Sequence, residues 1–198
     1  MSSGSRHDTF ADAWLRGSTR FLESVFEANR AALAAFGGRE IDETSTEAAL
    51  AGEKHPEWEV NLTERRRDAL SVGDRVRFAK SITDADVRAF ARASGDTNPL
   101  HLDETFAERT RFGGRIAHGT LASGLISAAL ARLPGLVVYL SQDVEFQNPV
   151  RVGDRVTADC EIVEDLGDHR YRIATQVTTD DATAIDGEAV VLLDEADP

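Results

Sequence analysis

The segment TLASGLISAALARL, residues 120–133, is apolar on nearly every side of a helix. A helix with so little polar face cannot rest on a surface; it has to be wrapped, usually by a sheet. Pro134-Gly135 stop it, and the sequence then turns to β-type runs. These are LVVYLSQDVEFQNPV, DRVTADCEIVED, HRYRIATQVTT and TAIDGEAVVLL, divided by turn signals such as Leu166-Gly167-Asp168. Upstream, SVGDRVRFAKSI reads as a turn feeding a strand, and TDADVRAFARAS as a short helix capped by Thr83 or Asp84. DETFAERT reads as a second short helix. One strand, short helices, a buried helix and four successive strands predict an α+β fold, one antiparallel sheet wrapped around a central helix. SVGDRV at 71–76 and RVGDRV at 151–156 echo each other, which implies a shared turn chemistry.

The first 60 residues have a different texture. Phe10, Trp14, Phe21, Leu22, Val25, Phe26, Ala32, Leu33 and Phe36 recur at helical spacing, which predicts one long amphipathic helix over 8–36. Asp8 caps its start and Gly37-Gly38 end it. Residues 39–60 are acidic and aperiodic and read as a linker. The expected organisation is therefore 1–60, helix and linker, followed by a domain over 61–198.

Composition narrows the function classes. The formal charge of −13 makes nucleic acid a poor partner. Lys54 and Lys80 are the only lysines among 22 basic residues. An acidic, lysine-poor surface fits a high-salt cytoplasm, where the Debye length falls to about 3 Å at 1 M; a GC-rich genome favouring Arg over Lys is the other explanation. Cys160 is the single cysteine, so neither a disulfide framework nor a thiolate metal cage is expected. Its alternating context, VTADCEIV, makes it a small core residue. The stretch MSSGSRHDTF lacks the apolar core of an export signal, and no run approaches the ~18 apolar residues of a membrane span, so a cytoplasmic protein without a transmembrane segment is expected.

The chemistry concentrates in ASGDTNPLHLDETF, residues 93–106, where Asp96 and His101 stand five positions apart around Asn98-Pro99. Proline fixes its own φ and pushes Asn98 away from helical geometry, so the preceding helix stops near Ser94. Leu100-His101-Leu102 alternates, and in an extended chain the leucines point inward while His101 points the other way. A carboxylate and an imidazole on one rigid bend can share a water, one taking its proton and the other orienting it. GDTNP is also simply a good turn sequence. Ala117-His118-Gly119-Thr120 opens the buried helix, whose first N–H groups have no partner within it and can face an anion or a developing oxyanion. Gly119 allows close approach to the backbone. His118 reads as structural, bonding a neighbouring backbone group. His7, His55 and His169 carry no role, and the dispersed histidines predict no metal site.

At SGDTNPLHLDETFAERTRFGGRIAHGTLASGLI the chain resembles the MaoC-like, (R)-specific enoyl-CoA hydratase family of the hot-dog superfamily, over roughly residues 70–193. The resemblance implies a hot-dog fold, with Asp96 and His101 as the catalytic pair and Asn98 shaping the loop. It implies the Gly119 N–H as the thioester-oxygen ligand, and a supporting serine at Ser127, or less securely at Ser123. The implied reaction adds water across a trans-2-enoyl-CoA to give (R)-3-hydroxyacyl-CoA. Asp96 would act as base and His101 as water-orienting partner and proton donor. No cofactor beyond the substrate's own coenzyme A is called for, and a homodimer is implied. Arg109, Arg111 and Arg115 are candidates for the CoA phosphates, with solvated surface arginines as the alternative. The N-terminal helix loosely resembles segments of polyhydroxyalkanoate granule proteins, which suggests docking to a granule or synthase; packing on its own dimer is the alternative. A hot-dog thioesterase and a non-catalytic granule protein are the competing function classes.

Overall fold

A computed structural model describes residues 57–194; the amphipathic helix expected over 8–36 and most of the linker lie outside the described residues. These residues fall in the second of two compact units, His55–Pro198. The chain enters the sheet through a short strand, β1 (Glu59–Leu62), then β2 (Arg75–Ser81). Residues 57–60, which read as linker, thus already belong to the fold: Glu59 pairs with Ala79 and Val60 with Phe78. Three short helices follow, α1 (Asp84–Ser94), α2 (Pro99–Leu102) and α3 (Glu104–Glu108), before the central helix α4 (Gly119–Leu130). Four strands complete the chain: β3 (Leu136–Phe146), β4 (Arg155–Gly167), β5 (Arg170–Thr178) and β6 (Thr183–Asp194). All pairings are antiparallel, in the order β1-β2-β4-β5-β6-β3.

The predicted wrapping is visible in the strand periodicity. Along β4, Val156, Ala158, Cys160 and Ile162 are buried while the residues between them are not. Ile173 and Val177 on β5 and Ala189, Val191 and Leu193 on β6 join them. From α4, Ala122, Leu125, Ile126, Ala129 and Leu130 fill the concavity. Ile126 is fully buried, and burying such a side chain is worth about 1.5–3 kcal/mol. The helix is not enclosed on every side, however. Gly124 and Ser127 are exposed, because the sheet curls over one face only and the other carries small residues.

Turn chemistry explains the internal echo. The Asp74 carboxylate accepts from the Ser71 N–H at 2.8 Å, and the Asp154 carboxylate accepts from the Arg151 N–H at 2.8 Å. Each aspartate N–H in turn donates to the carbonyl three residues back. The β4–β5 hairpin closes on Asp168 and His169, both at positive φ, the geometry of a two-residue turn matched to strand twist.

Candidate active site

Helix α1 begins in a capping box: Thr83 accepts from the Asp86 N–H, and the Asp86 carboxylate accepts from the Thr83 N–H. It ends at Gly95, whose φ of 78° is left-handed, with the Gly95 N–H closing on the Ala91 carbonyl at 2.9 Å. The termination expected from Pro99 is thus already made by Gly95. The chain then turns on local bonds: the Asp96 carboxylate accepts from the Asn98 N–H at 3.2 Å, and the Asn98 side chain accepts from the Leu100 N–H at 3.0 Å.

That second bond makes Asn98 the cap of α2, with Pro99 at the first helical position. Here the structure corrects the extended reading of residues 100–102. Proline at N1 after an Asn cap is organised for a helical turn, and three alternating residues do not outweigh it. His101 reaches the site from this turn. It is 8% exposed, and its Nδ1 lies 2.9 Å from the Ile116 carbonyl. A carbonyl only accepts, so Nδ1 carries the proton and the neutral ring keeps a lone pair on Nε2.

His118 caps α4 without a side-chain cap bond; instead its Nε2 donates to the Asp96 backbone carbonyl at 3.0 Å. The structural role expected for His118 takes this form. Its ring stacks on His101, with centroids 3.9 Å apart and planes 34° from parallel. One carboxylate oxygen of Asp96 and one ring nitrogen each of His101 and His118 lie within 4.8 Å of one another. The Ile116 and Asp96 carbonyls take one ring nitrogen of each histidine, which leaves one lone pair on each neutral ring. Among the described residues, the Gly119 and Thr120 N–H groups have no protein acceptor, and both residues are exposed at the head of α4.

These groups share one pocket of about 430 Å³, lined by Asp96, His101, His118, Gly119, Arg111 and Phe146 among others. The size suits a small organic ligand. The other sequence candidates are distributed unevenly. Arg111 lines the pocket and its guanidinium sits 4.9 Å from the Phe112 ring centre. Arg109 is exposed at the end of α3. Arg115 is instead committed to Asp84 at 2.6 Å and Glu104 at 3.0 Å, and the hydrogen bond to Asp84 leads the causes that raise its pKa. Ser127 is exposed about 12 Å along α4 from Gly119 and does not line the pocket. The Ser123 hydroxyl donates to the Thr120 carbonyl. Cys160 is core, and burial pushes its thiol up to about 12.

Phe146 is one of the pocket residues that sequence reasoning missed. It ends β3, is 56% exposed, and lies so close to Gly119 that a Cβ there would meet its Cε1 at 2.7 Å. The available signal was an aromatic residue closing a strand just before Asn148-Pro149.

The chain is similar to several known proteins. The 3-hydroxybutyryl-CoA dehydratase of Methylorubrum extorquens is 47% identical over 135 residues, covering 65% of this chain and 86% of that protein. The (R)-specific enoyl-CoA hydratase of Aeromonas caviae is 43% identical over 129 residues, 63% of this chain and 96% of that one. The unliganded structure of the R-hydratase PhaJ1 from Pseudomonas aeruginosa superposes with a TM-score of 0.63 at 40% identity, covering 70% of this chain and 89% of that one. The profile described as MaoC like domain matches residues 69–185, and the chain belongs to that family.

Proposed function

We propose that the protein is an (R)-specific enoyl-CoA hydratase, adding water across a trans-2-enoyl-CoA to give (R)-3-hydroxyacyl-CoA. The observation that carries this reading is the placement of the Asp96 carboxylate within 4.8 Å of a His101 ring nitrogen, in the pocket that also holds the open Gly119 N–H. Two hydrogen bonds of about 2.8 Å from one water span roughly 4.5 Å, a separation that this upper limit allows for two groups lining the same pocket. The thioester oxygen accepts from the Gly119 N–H, which draws electron density from C3. Asp96 takes a proton as the water oxygen bonds to C3, and a proton is delivered to C2. With Nδ1 donating to Ile116, His101 Nε2 first acts as an acceptor that orients the water; the proton Asp96 takes from the water then passes through Nε2 to C2, the second water proton stays on the new hydroxyl, and both groups end as they began. Water and substrate supply every atom of the reaction, so the reading needs no cofactor beyond the substrate's coenzyme A.

Asp96→Asn and His101→Gln, followed by loss of enoyl-thioester absorbance and chiral analysis of the product, test the reading. Each change is expected to cost about 10²–10⁴ in rate. Near-normal turnover in either variant refutes the catalytic pair. Free-thiol release at a rate matching enoyl loss would point to a thioesterase, and no turnover on any enoyl-CoA to a non-catalytic granule protein.

Four finer expectations belong to the same proposal. Arg111, at the pocket wall, and exposed Arg109 meet the CoA phosphates. A second copy pairs along β3, an edge strand that leaves Leu136, Tyr139 and Phe146 exposed; sedimentation at a monomer's rate would refute that homodimer. Supply of polyhydroxyalkanoate monomer is supported by the likeness to the Aeromonas caviae (R)-hydratase involved in PHA biosynthesis, 40% identical with a TM-score of 0.61. Deleting residues 1–45 tests granule or synthase docking: retained activity with lost granule association supports it. No helix among the described residues is long and apolar enough to cross a membrane.

A further inference from the structure

His118 takes part in no step of the reaction above, yet it joins everything that does. The loop Gly95–Pro99 is exposed throughout. Its other hydrogen bonds are local: Gly95 to Ala91, Asp96 to Ser94, Asn98 to Asp96 and to Leu100 and His101, Pro99 to Asp103. Among the described residues, one bond ties this loop to a distant part of the chain, the His118 Nε2 donation to the Asp96 carbonyl across 22 positions. The same ring stacks on His101 at 3.9 Å and meets the Phe90 ring at 4.9 Å. Its residue immediately precedes Gly119.

His118 is 1% exposed, and its Nδ1 is buried without a partner. A proton there would have no acceptor, so the Nε2–H tautomer is the one the site supports, and that tautomer is required to hold Asp96. A buried nitrogen left unpaired is a cost natural proteins seldom carry without return. Fixed placement of both halves of the pair is a return of the right kind. A shift of about 1 Å in a reacting group can cost on the order of 10²-fold.

We propose that His118 is a positioning residue: one side chain tethers the Asp96 loop and sets the plane of the His101 ring, registering both against the head of α4. The inference rests on the hydratase reading for its kinetic readout but has a second readout that does not. His118→Phe keeps an aromatic surface against His101 and Phe90 and deletes the donor. His118→Gln places an amide N–H near the original Nε2 and deletes the ring. In the full-length protein, with a short trans-2-enoyl-CoA as probe, His118→Phe is expected to lose about 10–100-fold in kcat with KM kept within about threefold. Amide relaxation of residues 95–98 should report a loosened loop, and His118→Gln should recover a large part of both. Unchanged loop order in folded His118→Phe overturns the tether, whatever happens to kcat; a loosened loop with unchanged kcat overturns the positioning role. If His118→Phe does not fold, His118→Gln decides: loop order near wild type supports the tether, and a loosened loop overturns it. A wild-type protein that hydrates nothing would refute the hydratase reading, leaving loop order as the test of the tether.

Discussion

Gly119→Ala separates the stability of the helix from the chemistry at its head. The added Cβ would lie 2.7 Å from Phe146 Cε1, 2.9 Å from Cδ1 and 3.3 Å from Cζ. Carbon–carbon contacts settle at about 3.5–4.0 Å, so the ring has to retreat by roughly 1 Å. It has room, since Phe146 is 56% exposed at the end of an edge strand. Tilting a side chain off its rotamer costs about 0.5–1.5 kcal/mol. Alanine returns about 0.5–1 kcal/mol relative to glycine in a helix. The two nearly cancel, and Tm should stay within about 3 °C of wild type. Activity should behave otherwise, because the methyl and the displaced ring both intrude on the wall beside the N–H proposed as the oxyanion donor. Loss of one such donor costs about 10²–10³ in kcat. Thermal melts run beside enoyl-absorbance assays should therefore show a protein of normal stability with about 100-fold lower turnover. The double variant Gly119→Ala/Phe146→Ala relieves the collision and keeps the methyl, so it should stay slow. Turnover within about threefold of wild type in the single variant refutes the reasoning. Full recovery in the double variant does so as well, because the ring and not the backbone donor would then account for the loss.

The arginines should divide: Arg111→Gln raises KM for the CoA substrate with kcat kept, while Arg115→Gln leaves KM near wild type, a contrast that steady-state kinetics on the two variants will check. Burial opposes ionisation of Asp86, but bonds from the Thr83 N–H and hydroxyl and from Lys80 outweigh it and hold the carboxyl below its ordinary 3.8. The stabilisation is therefore present above pH 3.8 and lost as pH falls through the lower folded value. Asp86→Asn should remove about 1 kcal/mol at neutral pH and flatten the acid limb of a denaturation series. Burial, then the charge of Asp159, raises the Cys160 thiol from 9.0 to about 12, so between those values the unfolded chain ionises and the folded one does not. Stability should then fall by up to about 1.4 kcal/mol per pH unit above pH 9, a slope that Cys160→Ala removes in alkaline urea titrations.

The central helix and the four strands after it were legible because each carries several periods of its own pattern, and the turn residues between them are local. β1 was not: of Glu59–Leu62 only Leu62 is even partly buried, so no alternation marks the strand inside an acidic stretch. Leu100-His101-Leu102 was misassigned because three alternating residues fit a strand and a helical turn alike, and the deciding Asn98–Leu100 cap bond is a matter of side-chain geometry. The chemistry-bearing residues Asp96, His101 and Gly119 sit within 24 positions and could be read together. What completes the site comes from further off and carries no local signal. The Ile116 carbonyl that sets the His101 tautomer lies 15 positions away, and Phe146 arrives on a strand at the far edge of the sheet. Likewise, nothing in the sequence distinguishes Arg115, clamped between Asp84 and Glu104, from Arg111 at the pocket wall.

In the proposed reaction the pocket sorts its polar groups by hydrogen-bonding sense. Asp96 and the unprotonated nitrogen of His101 are acceptors; the Gly119 and Thr120 N–H groups are donors. Water brings two O–H donors and matches the first pair, whereas a thioester oxygen only accepts and matches the second. Reversing the two would set acceptor against acceptor and leave the donors empty, at about 1–3 kcal/mol for each group left unsatisfied. An enoyl thioester therefore enters in one sense, its carbonyl at α4 and its C3 toward the Asn98-Pro99 bend. Hydrolysis would need the water at the carbonyl carbon, beside the donors rather than beside the acceptors. The same polarity that orients the substrate thus favours addition to the double bond over cleavage of the thioester.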